Sequence, residues 1–180
     1  MNLRVRLPLD RAVDGRAAIY AGIAAGILAT LVQVVLWSIF TDALPAIIFR
    51  DARFAAAIVM GRGVLPPPAT FDSEVMLVAT LVHFALSVAY GLILSRLVSR
   101  LRARSSLVTG AAFGVCLYAV NMYGFTSVFP WFNDSRGWIT AATHVAFGMS
   151  AAGAYRAIAQ RKLSPNRNHR RVAGSPPPRH

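Results

Sequence analysis

The sequence is short of charge. Asp, Glu, Lys and Arg make up 14% of its 180 residues, against about 25% in an ordinary globular domain. With 56% hydrophobic residues and a mean hydropathy of +0.50, the composition excludes an ordinary soluble domain and points to a membrane. Acidic residues are scarcer still, seven in all, and none lies inside the long apolar runs. A nucleophile–base–orienter set is therefore missing from those runs, so hydrolase chemistry is not expected and the chain is read as a non-enzyme. The single cysteine, Cys116, excludes an intrachain disulfide and a cysteine metal cluster. Placed in mid-run, it reads as a small buried thiol. Proline is absent from the apolar runs as well, so none is broken into the half-helices that build a transporter's substrate site.

What is present is apolar length. Crossing about 30 Å of hydrocarbon takes about 20 apolar residues. Four runs reach that length, at about 17–40, 74–95, 107–129 and 137–159. Their interiors hold no Asp, Glu or Lys, and Arg156 lies near the end of the last, where it could snorkel. The expected fold is all-α, an integral membrane four-helix bundle. The basic start at 1–16 resembles a signal peptide, but a signal core is about 7–15 residues long and the first run has 24. An uncleaved first span is expected, with Ala43–Leu44–Pro45–Ala46 a weaker cleavage alternative.

The arginines orient the bundle. Four lie in residues 1–16, four in the linker 95–106, and seven Lys or Arg from Arg156 onward, together 15 of 19. The positive-inside rule places both termini and that linker in the cytoplasm of a bacterial inner membrane. The net charge of +12 then reads as attraction to anionic lipids at the cytoplasmic face. Nucleic acid is not an expected partner, because no aromatics interleave with the basic residues. The tail 161–180, basic and proline-rich, is expected to be disordered against lipid headgroups.

A tandem repeat of a two-span hairpin shows through. Gly22, Gly26 and Gln33 in the first run recur 88 residues later as Gly110, Gly114 and Asn121. Small residues four apart let helix backbones approach closely. His83 in the second run recurs as His144 in the fourth, 61 residues on. The first copy carries an outer insert at about 41–66. Ile47, Ile48, Phe54, Ala55, Ile58 and Val59 there fall at helical spacing, with Asp51 breaking the pattern. A short interfacial helix is expected, or equally a cap over the bundle mouth. Asp72 or Ser73, and Asp134 or Ser135, are candidate N-caps for the second and fourth runs. Trp37, Trp131 and Trp138 fall at outer ends and suit an aromatic belt.

Polar residues inside a membrane mark candidate functional positions. Thr80, His83, Ser87 and Tyr90 share one helical face, as do Thr140, His144, Gly148, Ala151 and Tyr155. With Gln33 and Asn121 they form the candidate intramembrane polar site. Three readings stand open. The first is neutral imidazoles hydrogen-bonded between helices, the second a proton or ion path, the third paired axial ligands of a haem or metal. No second-shell carboxylate supports the last, and no cofactor is expected.

Gly61–Pro68 (GRGVLPPP), His83–Gly91 (HFALSVAYG), Asn121–Phe125 (NMYGF) and Phe129–Phe132 (FPWF) together resemble a family of small four-span bacterial inner-membrane proteins of uncharacterised function. Some of its members carry the label sodium:proline symporter. The resemblance implies location and topology and transfers no site residues. Four spans could form a symporter site only by oligomerising. The expectation is a structural or accessory membrane protein, with a small proton-coupled ion or solute conductor as the alternative and a homo-oligomer allowed.

Overall fold

The computed structural model describes residues 13–163. The expectations for most of the N-terminal segment and for a disordered tail at 164–180 lie outside the described residues. Within them the chain is helical. Helix α1 is Gly15–Phe40, α2 Ala46–Met60, α3 Ser73–Val98, α4 Ala103–Ala119 and α5 Trp138–Leu163. The last helix thus runs into the segment expected to be tail.

Three helical segments are long and apolar enough to cross a membrane: Gly15–Phe40, Ser73–Val98 and Ala103–Ser127. Only about a quarter of their apolar windows is buried within the chain. Leu28, Leu31, Val35, Leu77, Leu81, Leu97, Val108 and Val115 all point outward, far more apolar surface than a soluble monomer exposes. These are the marks of a membrane protein. Helix α5 has 26 residues, as long as α1 and α3, but is more polar.

Small residues decide how the helices pack. Ala17, Ala18, Ala21, Gly22, Ala25, Gly26 and Ala29 line the buried stripe of α1, which lies between α3 and α5. A Cβ added at Gly22 would sit 2.6 Å from the Ser87 carbonyl oxygen, and one at Gly91 2.8 Å from the Gly22 Cα. Between α4 and α5 the approach is closer still, with Gly110 and Gly148 backbone to backbone and Gly114 against His144. Side chains at these points would hold the helices apart. Around the bundle the order is α3, α1, α5, α4; α3 and α4 touch only sparsely, and α2 packs on α3.

Asp72 caps α3, accepting from the Glu74 and Val75 amides at 3.0 and 3.1 Å. The parallel expectation for α5 fails. Asp134 and Ser135 lie in a 3-10 turn, Pro130–Ser135, and the first intrahelical bond of α5 runs from Ala141 to the Gly137 carbonyl. The third run does not stay α-helical. After Ala119 it passes through a π turn, Val120–Gly124, and a 3-10 turn, Phe125–Ser127. Cys116 is exposed, because Gly110, Gly114 and Leu117 take the inward face of α4. Trp37 is buried at 7% exposure rather than belted at an interface. Trp131 donates to the Phe54 carbonyl at 3.0 Å. Arg156 does not snorkel: its guanidinium donates to the Leu101 carbonyl and, at 3.3 Å, to Ser106 Oγ, clasping the turn between α3 and α4.

Helix α2 closes one end of the bundle. Ala56 packs on Val75 and Ala79 of α3, and Phe54 meets Phe132 edge to face at 6.1 Å. The insert thus holds a helix, as expected, packed against α3.

Candidate functional site

Beneath α2 lie two adjoining chambers. The outer one, about 480 Å³, lies between the α2-proximal halves of α1 and α3 and under α2. The inner one, about 170 Å³, lies deeper, among α1, α3, α4 and α5. Both share Thr30, Gln33, His83 and His144. All eight polar residues singled out from the sequence line one chamber or both. Ser87, Tyr90 and Asn121 are at the inner, Thr80 and Thr140 at the outer, and Gln33, His83 and His144 at the junction.

The two histidines are held differently. His144 Nδ1 lies 2.8 Å from the Thr140 carbonyl, which can only accept, so Nδ1 carries the proton. Its Nε2 accepts from Asn121 Nδ2 at 3.3 Å. The Tyr90 hydroxyl in turn donates to Asn121 Oδ1 at 3.0 Å. Tyr90, Asn121 and His144 thereby join α3, the π turn that follows α4, and α5 in one chain of bonds, with the neutral ring's donor and acceptor both used. The ring also lies edge-on to Tyr118, centroids 5.8 Å apart. Asn121 reaches this position from the π turn, a backbone irregularity that often accompanies functional positions.

His83 is looser. Its Nε2 is 3.3 Å from the Gly26 carbonyl and 3.4 Å from Thr30 Oγ1. The Thr30 hydroxyl already donates to that same carbonyl at 3.0 Å, so both neighbours are acceptors and Nε2 carries the proton. Nδ1 is left as an acceptor with no partner among the described residues. The Gln33 amide, expected as a histidine partner, makes no hydrogen bond among the described residues either, since the imidazole turns to the α1 backbone instead. The hydroxyls of Thr80 and Thr143 are taken by backbone carbonyls one turn earlier in their own helices, and that of Thr140 by the Ser135 carbonyl ahead of α5.

The chamber wall includes one carboxylate that sequence periodicity set aside. Asp51 of α2 lines the outer chamber. It accepts from Arg50 Nε and Nη2 at 3.0 and 2.9 Å and from Ser135 Oγ at 3.2 Å. Burial pushes its carboxyl above the ordinary 3.8, opposed by the Arg50 charge and by the hydrogen bonds from Arg50 and Ser135. Its break in the apolar pattern was the available signal. Arg136 was missed altogether. It donates from Nε to the Met122 carbonyl at 2.6 Å and from Nη2 to Thr126 Oγ1 at 2.9 Å. It also lies 4.3 Å over the Tyr123 ring. It thereby receives a carbonyl of the π turn.

Among the described residues, no group of three His, Cys, Asp or Glu could hold a metal ion. Ligation of a haem or metal by His144 would have to break one of the two bonds that occupy its ring. No family model, curated protein or solved structure matches the chain.

Proposed function

We propose that this chain is a non-enzymatic, structural or accessory protein of a bacterial inner membrane, with four spans arranged as two similar hairpins and both termini cytoplasmic. In this reading α5 is the fourth span, its polar residues turned inward and held by α4. The Tyr90–Asn121–His144 chain carries the structural reading. Three of the polar groups are here bonded to one another between helices, which is how intramembrane side chains join helices.

The repeat draws support from its contacts. Gly22 meets Ser87 and Gly26 meets His83 in the first hairpin, as Gly110 meets Gly148 and Gly114 meets His144 in the second. These are pairs at the same offsets of 88 and 61 residues.

Conduction is the second reading, favoured by two chambers that meet at both histidines. Against it stands the other end of the bundle. Ala17, Ala18, Ala21, Ala25, Leu94, Val98 and Ala152, each at most 1% exposed, close it with apolar packing. The chambers therefore end blindly.

His144→Leu separates the two. A structural role predicts a loss of about 1 kcal/mol in stability and a lowered unfolding temperature in detergent, with no pH-driven proton flux in proteoliposomes of either protein. Flux through the wild type that the variant abolishes would overturn the structural reading.

A further inference from the structure

The outer chamber has an opening, two polar groups without a partner among the described residues, and no established occupant. Ile27 and Leu31 of α1 form part of its rim and are 48% and 57% exposed. Both lie near the middle of Gly15–Phe40, so in a membrane this opening faces hydrocarbon and not water. Thr80, on the facing side of α3, is also exposed. Thr30, Asp51, Ser135, Thr140 and His144 also line it, each already hydrogen-bonded, and the rest of the wall is apolar, with Trp37, Phe84 and Phe132 among it. A volume of about 480 Å³ falls within the range of about 300–1,000 Å³ usual for small-molecule pockets.

The polar groups specify the ligand's head. His83 Nε2–H is turned to the Gly26 carbonyl, so the ring offers Nδ1, an acceptor. Gln33 offers both an N–H donor and a carbonyl acceptor, unclaimed by any described residue. Together they match a group that donates one hydrogen bond and accepts another. A hydroxyl does both; a ketone, ester or ether only accepts. A charged head is disfavoured, since it would have to cross the hydrocarbon to reach the opening.

We propose that the outer chamber binds a lipid-soluble alcohol or phenol, which enters sideways from the bilayer between α1 and α3 and donates its hydroxyl to His83 while accepting from Gln33. The site rests on the membrane reading above but not on the absence of conduction.

The test uses the full chain in liposomes and an octan-1-ol carrying a photoactivated diazirine, with adducts located by peptide mass spectrometry. Adducts are expected at Trp37, Phe84 or Phe132. Octan-1-ol should suppress them at about one-tenth the concentration that octyl methyl ether, which cannot donate, requires, the ratio one well-made hydrogen bond in a dry site supplies. His83→Leu should weaken labelling by a similar factor. If that variant does not fold, the competition in the wild-type protein still decides. Adducts scattered over outward residues such as Leu77 and Leu81, no adducts at all, or equal suppression by the ether would overturn the site. None of these results bears on flux, and a measured flux would leave chamber labelling standing.

Discussion

At the residue scale, two histidines that look equivalent in the sequence are hydrogen-bonded differently. His144 has both ring nitrogens bonded, whereas among the described residues His83 Nδ1 and the Gln33 amide, which line the same chambers, have no partner. The sequence announced both, because an ionisable side chain in an apolar run stands out against its surroundings. It could not distinguish them, because the difference lies in which carbonyl each Nδ1 or Nε2 faces. Asp51 shows the opposite failure. It reads as a flaw in an amphipathic pattern until packing places it at a chamber wall. Because burial raises its folded-state pKa, the folded protein holds a proton there over a pH range in which the unfolded chain has lost it. Its contribution to stability therefore falls as pH rises from the ordinary 3.8 through the raised value, and is level beyond it. Asp51→Asn should remove that slope. Its unfolding temperature should equal or exceed that of the wild type at pH 7, with the gap narrowing toward pH 4. A variant that is less stable at pH 7 would mean that the Arg50 pair outweighs burial.

At the element scale, the glycines carry the packing. Their spacing was legible, since two pairs four residues apart in runs this apolar announce close helix contact. Gly148 was placed on the inward face but not recognised as a packing glycine. It is the partner of Gly110, and an isolated glycine gives no spacing signal. Gly148→Leu would drive a side chain into the Gly110 backbone, and overpacking of this kind costs about 1–3 kcal/mol. A lowered unfolding temperature and lost α4–α5 cross-linking between introduced cysteines are expected. Unchanged values would mean that these helices do not meet at Gly110. The π turn was not legible. It is a shift of one residue in backbone hydrogen bonding and needs no particular residue type; within it the Met122 carbonyl accepts from Arg136.

At the scale of the whole molecule, composition pointed to a membrane, and three helices are indeed long and apolar enough to cross one; the third run departs from its expected course, since its α-helix ends at Ala119. What composition could not show is how unevenly they pack. A strict two-fold relation between hairpins would make the α1–α5 and α3–α4 contacts alike. Instead α1 and α5 pack along their length, while α3 and α4 meet sparsely and are bridged by the Tyr90–Asn121 bond. The inner chamber lies on that loosely packed side, and α2, which has no counterpart in the second half, covers the outer one. The central claim is that four helices cross, with α5 as the fourth. Reporters active only in the periplasm or only in the cytoplasm, fused at the C-terminus, in the turn Ser99–Arg102 and within α2, test it most directly. The C-terminal and turn fusions should both read cytoplasmic and the α2 fusion periplasmic. A periplasmic signal from the C-terminus, with the turn still cytoplasmic, would contradict it and leave three spans.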